Sequence, residues 1–139
     1  MLYFTSFIFG TCSLHAAHAG YPCLAALFML QHGLSSTYHS HYTRAEAFLG
    51  GRAVRLLDKG IARALWAAVL YHTCQLPFGA AAGAIYGGIA YVPTMYYLKC
   101  APAPPYRPFE VSLPVLLHGS LHLAAGLSSH LLFWLNPRE

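Results

Sequence analysis

The chain has 139 residues, of which 57% are hydrophobic and only 9% are charged, and its formal net charge is +4. Soluble domains carry roughly 25% charged residues, so the composition argues against an ordinary soluble domain and predicts an all-α integral membrane bundle. Five of the eight basic residues fall between positions 44 and 63. No aromatic residues interleave with basic ones in a patch, so nucleic acid is not an expected partner.

The first predicted helix covers residues 2–19 and ends at Gly20, shortly before Pro22. Ala17-His18-Ala19 resembles the small-residue cleavage site of a signal peptide, but no basic segment precedes the apolar run. We therefore predict a retained helix rather than a cleaved leader. Because proline is favourable at the first helical position, the second helix is predicted over residues 22–41.

The third and fourth predicted helices cover residues 53–75 and 79–98. The pair Gly50-Gly51 acts as a breaker before the third. Gly83 and Gly87 form a Gly-x-x-x-Gly motif in the fourth helix, whose small face allows close approach of a neighbouring helix. We predict that this face serves ordinary tight packing within the chain rather than a dimer interface.

A proline-rich loop separates the fourth helix from the fifth, which is predicted over residues 111–135. The result is a single bundle of about five transmembrane helices. Loops rich in lysine and arginine stay on the cytoplasmic or equivalent inner side of a membrane. The N-terminus, the basic loop 42–52 and the loop carrying Lys99 and Arg107 are therefore predicted on that side, and the C-terminus on the other.

This topology places His39, Asp58 and His118 at one depth near the inner side. His118 and His122 are spaced i, i+4, so both imidazoles project from one helix face. With His39 as a third ligand, the set leaves an open fourth position, which is typical of catalytic zinc. Asp58 would accept a proton from the activated water. Ser35, one turn before His39, would hydrogen-bond the water or a substrate carbonyl.

Simpler interpretations stay open for each of these residues. A single helical histidine is more often a packing residue than a ligand, and a lone His-x-x-x-His is a weak signal. Asp58 near a helix start is also typical of an interfacial residue favoured by the helix dipole. Ser35 in an apolar helix is equally able to bond a backbone carbonyl.

The remaining histidines are predicted to lie away from this site. His32 and His130 form a polar seam or pack in the bundle, with bis-histidine haem ligation as a minor alternative. His72 lies towards the opposite side, and His15 and His18 are predicted to be interfacial.

The four cysteines are Cys12, Cys23, Cys74 and Cys100. They form no Cys-x-x-Cys pair, and three of them lie in or beside apolar runs. We predict that they are free core thiols.

Three motifs carry a family resemblance. They are Ser35-Ser-Thr-Tyr-His39-Ser, Arg52-Ala-Val-Arg-Leu-Leu-Asp58 and His118-x-x-x-His122 with His130 beyond it. Together they resemble the haemolysin III and adiponectin/progestin receptor family, which belongs with the alkaline ceramidases to a superfamily of seven-helix membrane proteins. The resemblance implies that His39, His118 and His122 bind zinc, that Asp58 holds the zinc-bound water, and that Ser35 lines the site. The present chain offers five helices rather than seven.

Two functions follow from these expectations. The first is a zinc-dependent membrane hydrolase that acts on a lipid amide or ester. The second is a non-catalytic accessory subunit, derived from that family, which packs with other membrane subunits in a larger complex. A receptor-like role is a third implication of the resemblance.

Overall fold

The structure, a computed structural model, describes residues 2–40, 51–98 and 113–138. These residues form five α-helices and no strands, which confirms the predicted all-α class. The helices are α1 Leu2–His18, α2 Pro22–Ser40, α3 Gly51–Thr73, α4 Ala80–Leu98 and α5 Leu113–Leu135. Gly51, predicted to break the chain, instead begins α3. Arg52 of the predicted basic loop also belongs to α3. Residues 42–50 of that loop, Cys100 and the proline-rich loop with Lys99 and Arg107 lie outside the described residues.

The core forms mainly where α1 packs along both α2 and α5. The buried Phe28 of α2 meets Phe133 of α5 edge to face, with ring centroids 5.9 Å apart. Helix α3 packs on α2, and α4 packs on α5. Because α3 has little contact with α4 and α5, the two sides of the bundle are joined chiefly through α1.

The C-terminal segment closes onto the turn between α1 and α2. Gly20 has a φ of 79°, a left-handed backbone conformation that residues other than glycine rarely adopt. The backbone N–H of Arg138 donates to the Ala19 carbonyl at 2.9 Å, and the Tyr21 hydroxyl donates to the Asn136 carbonyl at 2.7 Å. The Arg138 guanidinium also lies 4.5 Å from the centre of the Tyr21 ring, so the turn and the C-terminal segment stabilise each other.

Glycine allows close helix packing at positions other than the predicted pair. A Cβ added at Gly83 or Gly87 would meet nothing within 4 Å in the described part of the chain. A Cβ at Gly88 would instead collide with the Ser128 hydroxyl of α5, and one at Gly126 would collide with Ile8 of α1. The prediction that the Gly83–Gly87 face packs tightly within the chain is therefore wrong, because the helix turns that face outward.

A proline in α4 explains one contact between α3 and α4. Pro93 has no N–H, so the carbonyl of Ile89, four residues earlier, lacks its usual helical donor. The Trp66 indole of α3 donates to that carbonyl at 2.9 Å. The side chain of one helix thus replaces a backbone hydrogen bond that the other helix cannot make.

We expect Trp66→Phe to lower the free energy of unfolding by about 1–3 kcal/mol, because it leaves the Ile89 carbonyl without a donor. Thermal unfolding in detergent measures the change. Trp134→Phe is the matched control, since Trp134 is 71% exposed. Pro93→Ala restores the backbone N–H, so Trp66→Phe should cost less in that background; an equal cost in both backgrounds would contradict this explanation.

Large apolar side chains also lie exposed around the outside of the helices. These are Phe4, Phe7, Leu14, Met29, Leu30, Leu56, Leu57, Trp66, Tyr71, Phe78, Leu113, Leu116, Leu123, Leu127 and Trp134. Among the described residues, one helical segment, Val115–Leu135, is long and apolar enough to cross a membrane. Of the cysteines in the described ranges, all three are free as predicted, but only Cys12 is buried.

Candidate metal centre

The three predicted histidine ligands converge. His39 comes from the last turn of α2, and His118 and His122 come from two successive turns in the first half of α5. Their potential ligand nitrogens all lie within 4.8 Å of one another. The ring centroids are 5.1 Å apart for His39–His118, 5.4 Å for His39–His122 and 4.8 Å for His118–His122.

The cluster is supported by α1. The Nδ1 atom of His122 lies 2.9 Å from the Thr5 hydroxyl oxygen. Phe9, one turn further along α1, meets the His122 ring edge to face at a centroid distance of 5.2 Å. Metal-binding imidazoles usually donate one N–H to a nearby oxygen and bind the ion through the other nitrogen. Thr5 is therefore placed to orient His122 as a ligand through Nε2.

The donor set fits a transition metal. Imidazole suits zinc, copper, iron and nickel. Three protein ligands with a fourth position open are typical of catalytic zinc sites. His39 and His122 are buried while His118 is half-buried, so the cluster is shielded on one side and reachable on the other.

We expect Thr5→Val to weaken zinc binding by about 10–100-fold, which is the usual effect of removing a group that orients a ligand. Competition with a fluorescent chelator measures the affinity. Thr11→Val is the matched control, since Thr11 lies on the same helix but bonds His130. Equal affinities for the two variants would show that Thr5 does not support the site.

Of the two predicted catalytic residues, Ser35 belongs to α2 itself, and Asp58 of α3 meets α2 two turns before His39. Ser35, one turn before His39, bonds the Ser6 hydroxyl at an Oγ–Oγ distance of 3.0 Å. The Asp58 carboxylate of α3 accepts a hydrogen bond from Gln31 Nε2 at 2.7 Å. The Cα of Gln31 is about 12 Å from that of His39 along the helix. Asp58 thus reaches the α2 face that carries His39, but at the level of Gln31.

Gln31 was not singled out by the sequence. Its side chain is buried, and Oε1 has no hydrogen-bond partner among the described residues. Gln31, Ser35 and His39 recur every four residues, so they form one polar stripe on α2. This four-residue spacing of polar residues in an apolar helix is the sequence pattern from which Gln31 could have been predicted as part of the site.

A second pair of histidines lies further along α5. The Thr11 hydroxyl donates to the Ile8 carbonyl at 2.8 Å, so it accepts from His130 Nε2 at 3.0 Å. In the neutral form, His130 Nδ1 then accepts from His15 Nδ1 at 2.8 Å. His15 thus makes a specific contact between α1 and α5 that the sequence did not predict.

Two further histidines, His32 and His72, engage separate partners. His32 Nδ1 donates to the Ser6 carbonyl at 3.1 Å, and its ring packs beside Gly10. His72 Nδ1 accepts from Arg138 Nη2 at 3.1 Å. His32 and His130, the pair considered for haem, therefore contact different groups.

Fold and site together define an all-helical protein with a cluster of three imidazoles. Comparison of the chain with protein-family models, curated proteins and solved structures gives no match. The resemblance to the haemolysin III and adiponectin/progestin receptor family therefore stays a prediction from the three sequence motifs.

Proposed function

We propose that this chain is a multi-pass membrane protein that binds zinc through His39, His118 and His122 and hydrolyses an amide or ester bond of a membrane lipid. The observation that carries the proposal is the convergence of three imidazoles from two helices within 4.8 Å. Lone histidines scattered in a helical core have no reason to meet in this way.

The membrane part of the proposal rests on the surface of the bundle. Soluble monomers rarely expose large contiguous apolar patches, whereas fifteen large apolar side chains are exposed in the described part of the chain. Lipid chains would cover these side chains. The basic residues near the start of α3 favour the inner side of the membrane for the end of the bundle at which α3 begins. The histidine cluster lies at the end of the bundle at which α5 begins.

Each polar residue has a role in the proposed reaction. A zinc ion would supply Lewis acid chemistry and activate water for attack on the carbonyl carbon. Asp58 would accept the proton through intervening water, since its carboxylate lies at the level of Gln31, about 12 Å from His39 along α2. Ser35, which lies between them on α2, would hydrogen-bond the substrate carbonyl in place of Ser6.

Hydrolysis of a fluorogenic lipid amide and a lipid ester by the purified chain tests this proposal. His118→Ala should reduce hydrolysis to background, and Asp58→Asn should reduce it by about 10²–10⁴-fold, the usual contribution of a general base. His130→Gln, a change on the same helix as His118, should leave the rate unchanged. Full activity in both His118→Ala and Asp58→Asn would remove the mechanism.

The second candidate function is a non-catalytic accessory subunit of a larger membrane complex. The Asp58–Gln31 hydrogen bond favours it, because a carboxylate held by an amide is engaged away from the histidines. In that case the chain would retain zinc but show no hydrolysis, and Asp58→Asn would leave zinc content unchanged. Metal analysis combined with the lipid assay separates the two functions.

A further inference from the structure

The Gln31 side chain is buried on α2, with 3% of its surface exposed. Its Nε2 atom donates to the Asp58 carboxylate at 2.7 Å. An ionised carboxylate only accepts hydrogen bonds and an amide nitrogen only donates them, so this contact fixes which way the amide points. The amide oxygen, Oε1, therefore lies on the other arm of the amide and does not bond the carboxylate.

The Oε1 atom is an acceptor enclosed by the protein. It is buried, and no group within residues 2–40, 51–98 or 113–138 donates a hydrogen bond to it. A buried acceptor without a donor is destabilising, and folded proteins usually pair such groups with an ordered water. A buried water needs two or more polar neighbours. The Asp58 carboxylate supplies a second one beside Oε1, because its two oxygens accept several hydrogen bonds.

The place of Gln31 on the polar stripe of α2 gives this water a direction. Ser35 and His39 follow one and two turns later, about 6 Å and 12 Å from Gln31 along the helix. Ser35 is also buried, and it bonds the Ser6 hydroxyl of α1. Hydroxyl groups both donate and accept hydrogen bonds. The two serines thus offer polar contacts to a row of waters between Asp58 and the histidine cluster.

We propose that Gln31 is a positioning residue for Asp58: its Nε2 holds the carboxylate, and its Oε1 holds a buried water that passes a proton to that carboxylate. The proton-transfer part rests on the proposed function, in which Asp58 accepts a proton through intervening water. The water beside Gln31 would donate one hydrogen to Oε1 and the other to Asp58. Its oxygen would accept a hydrogen bond from the next water towards the cluster.

The proton transfer leaves Gln31 itself unchanged. The water that attacks the carbonyl carbon gives one proton to the row, each water of the row passes one proton on, and the last water gives one to Asp58. The row keeps its number of protons, Asp58 becomes neutral, and the attacking oxygen bonds the carbonyl carbon. The proton returns along the row to the leaving nitrogen or oxygen when the bond of that atom to carbon breaks.

Nuclear magnetic resonance of the zinc-free full chain in detergent micelles tests the water site. The chain holds two glutamines, Gln31 and Gln75, so an isotopic nitrogen label on glutamine side chains gives two amide signals, which Gln75→Met assigns. The Gln31 amide protons should show a cross peak to a long-lived water and exchange slowly with heavy water. Those of the exposed Gln75 should exchange fast. Slowly exchanging Gln31 protons without the cross peak would overturn the proposal, because another protein group would then satisfy Oε1.

Hydrolysis kinetics test the role of Gln31 in proton transfer. Gln31→Met keeps the length of the side chain but removes its donor and its acceptor. It should lower kcat for the lipid amide by at least about ten-fold, with KM and zinc content unchanged, whereas the matched control Gln75→Met should behave like wild type. In an Asp58→Asn background Gln31→Met should cost nothing further, because the two residues act as one unit. Equal losses in the two backgrounds would contradict the proposal.

Failure of the proposed function is recognised separately. If wild type binds zinc but hydrolyses neither the lipid amide nor the lipid ester, the hydrolase proposal fails, and the proton-transfer role of Gln31 fails with it. The cross peak of the zinc-free chain then decides the water site by itself, as it also does if Gln31→Met does not fold. If wild type and Gln31→Met hydrolyse at the same rate, the hydrolase proposal stands and the role of Gln31 is overturned.

Discussion

Replacing His118 by alanine is expected to reduce bound zinc from about one ion per chain to near zero. His118 supplies one of three imidazoles whose ligand nitrogens lie within 4.8 Å of one another, and two imidazoles alone do not complete a stable zinc site. Metal content by mass spectrometry, after dialysis against a defined free zinc concentration, measures the change. We expect the affinity for zinc to fall by at least about 100-fold, since the loss of a direct ligand weakens metal binding more than the loss of a group that orients a ligand.

The control is His130→Gln, which changes the same residue type on the same helix. His130 bonds His15 and Thr11 rather than the cluster, so its replacement should leave the zinc content unchanged. Equal zinc loss in the two variants would show that the metal binds elsewhere or non-specifically.

Replacing Gly20 by alanine is expected to destabilise the fold by about 2–4 kcal/mol. The residue sits at a φ of 79°, where a side chain strains the backbone. The added Cβ would also lie 2.5 Å from the Arg138 carbonyl oxygen. That contact would push the C-terminal segment away and break the bonds of Arg138 to Ala19 and of Tyr21 to Asn136.

Thermal unfolding in detergent, compared with Gly83→Ala, measures this effect. Gly83 lies inside α4, and a Cβ there meets nothing within 4 Å in the described part. Alanine is favoured over glycine in a helix by roughly 0.5–1 kcal/mol, so the control variant should be slightly more stable than wild type. A Gly20→Ala protein as stable as Gly83→Ala would contradict the role of the turn.

The sequence was sufficient to predict the helices and the histidine cluster. Long apolar runs bounded by glycine and proline mark the five helices, and the i, i+4 spacing places His118 and His122 on one face. The basic residues predict which end of each helix lies on the inner side of the membrane. That assignment places His39 at the same end of the bundle as His118 and His122. These features depend on periodicity and charge, which are local properties of the chain.

Contacts between helices were not predictable in the same way. The meeting of Thr5 with His122, or of His15 with His130, depends on how far α1 slides and rotates against α5. An apolar helix carries no strong signal of that register, because most of its faces are equally hydrophobic. The outward position of Gly83 has the same cause: small residues occur on several faces of α4, and packing selects Gly88.

The division of the three clustered imidazoles between α2 and α5 has a consequence for biosynthesis. A growing chain that has made α2 holds His39 alone, and His118 and His122 arrive only with α5. An ion bound by all three imidazoles would therefore be acquired only after α5 has been made, and a chain truncated before α5 would lack that site. In the proposed zinc-bound state the ion would then link α2 to α5 directly, two helices that are otherwise joined chiefly through α1.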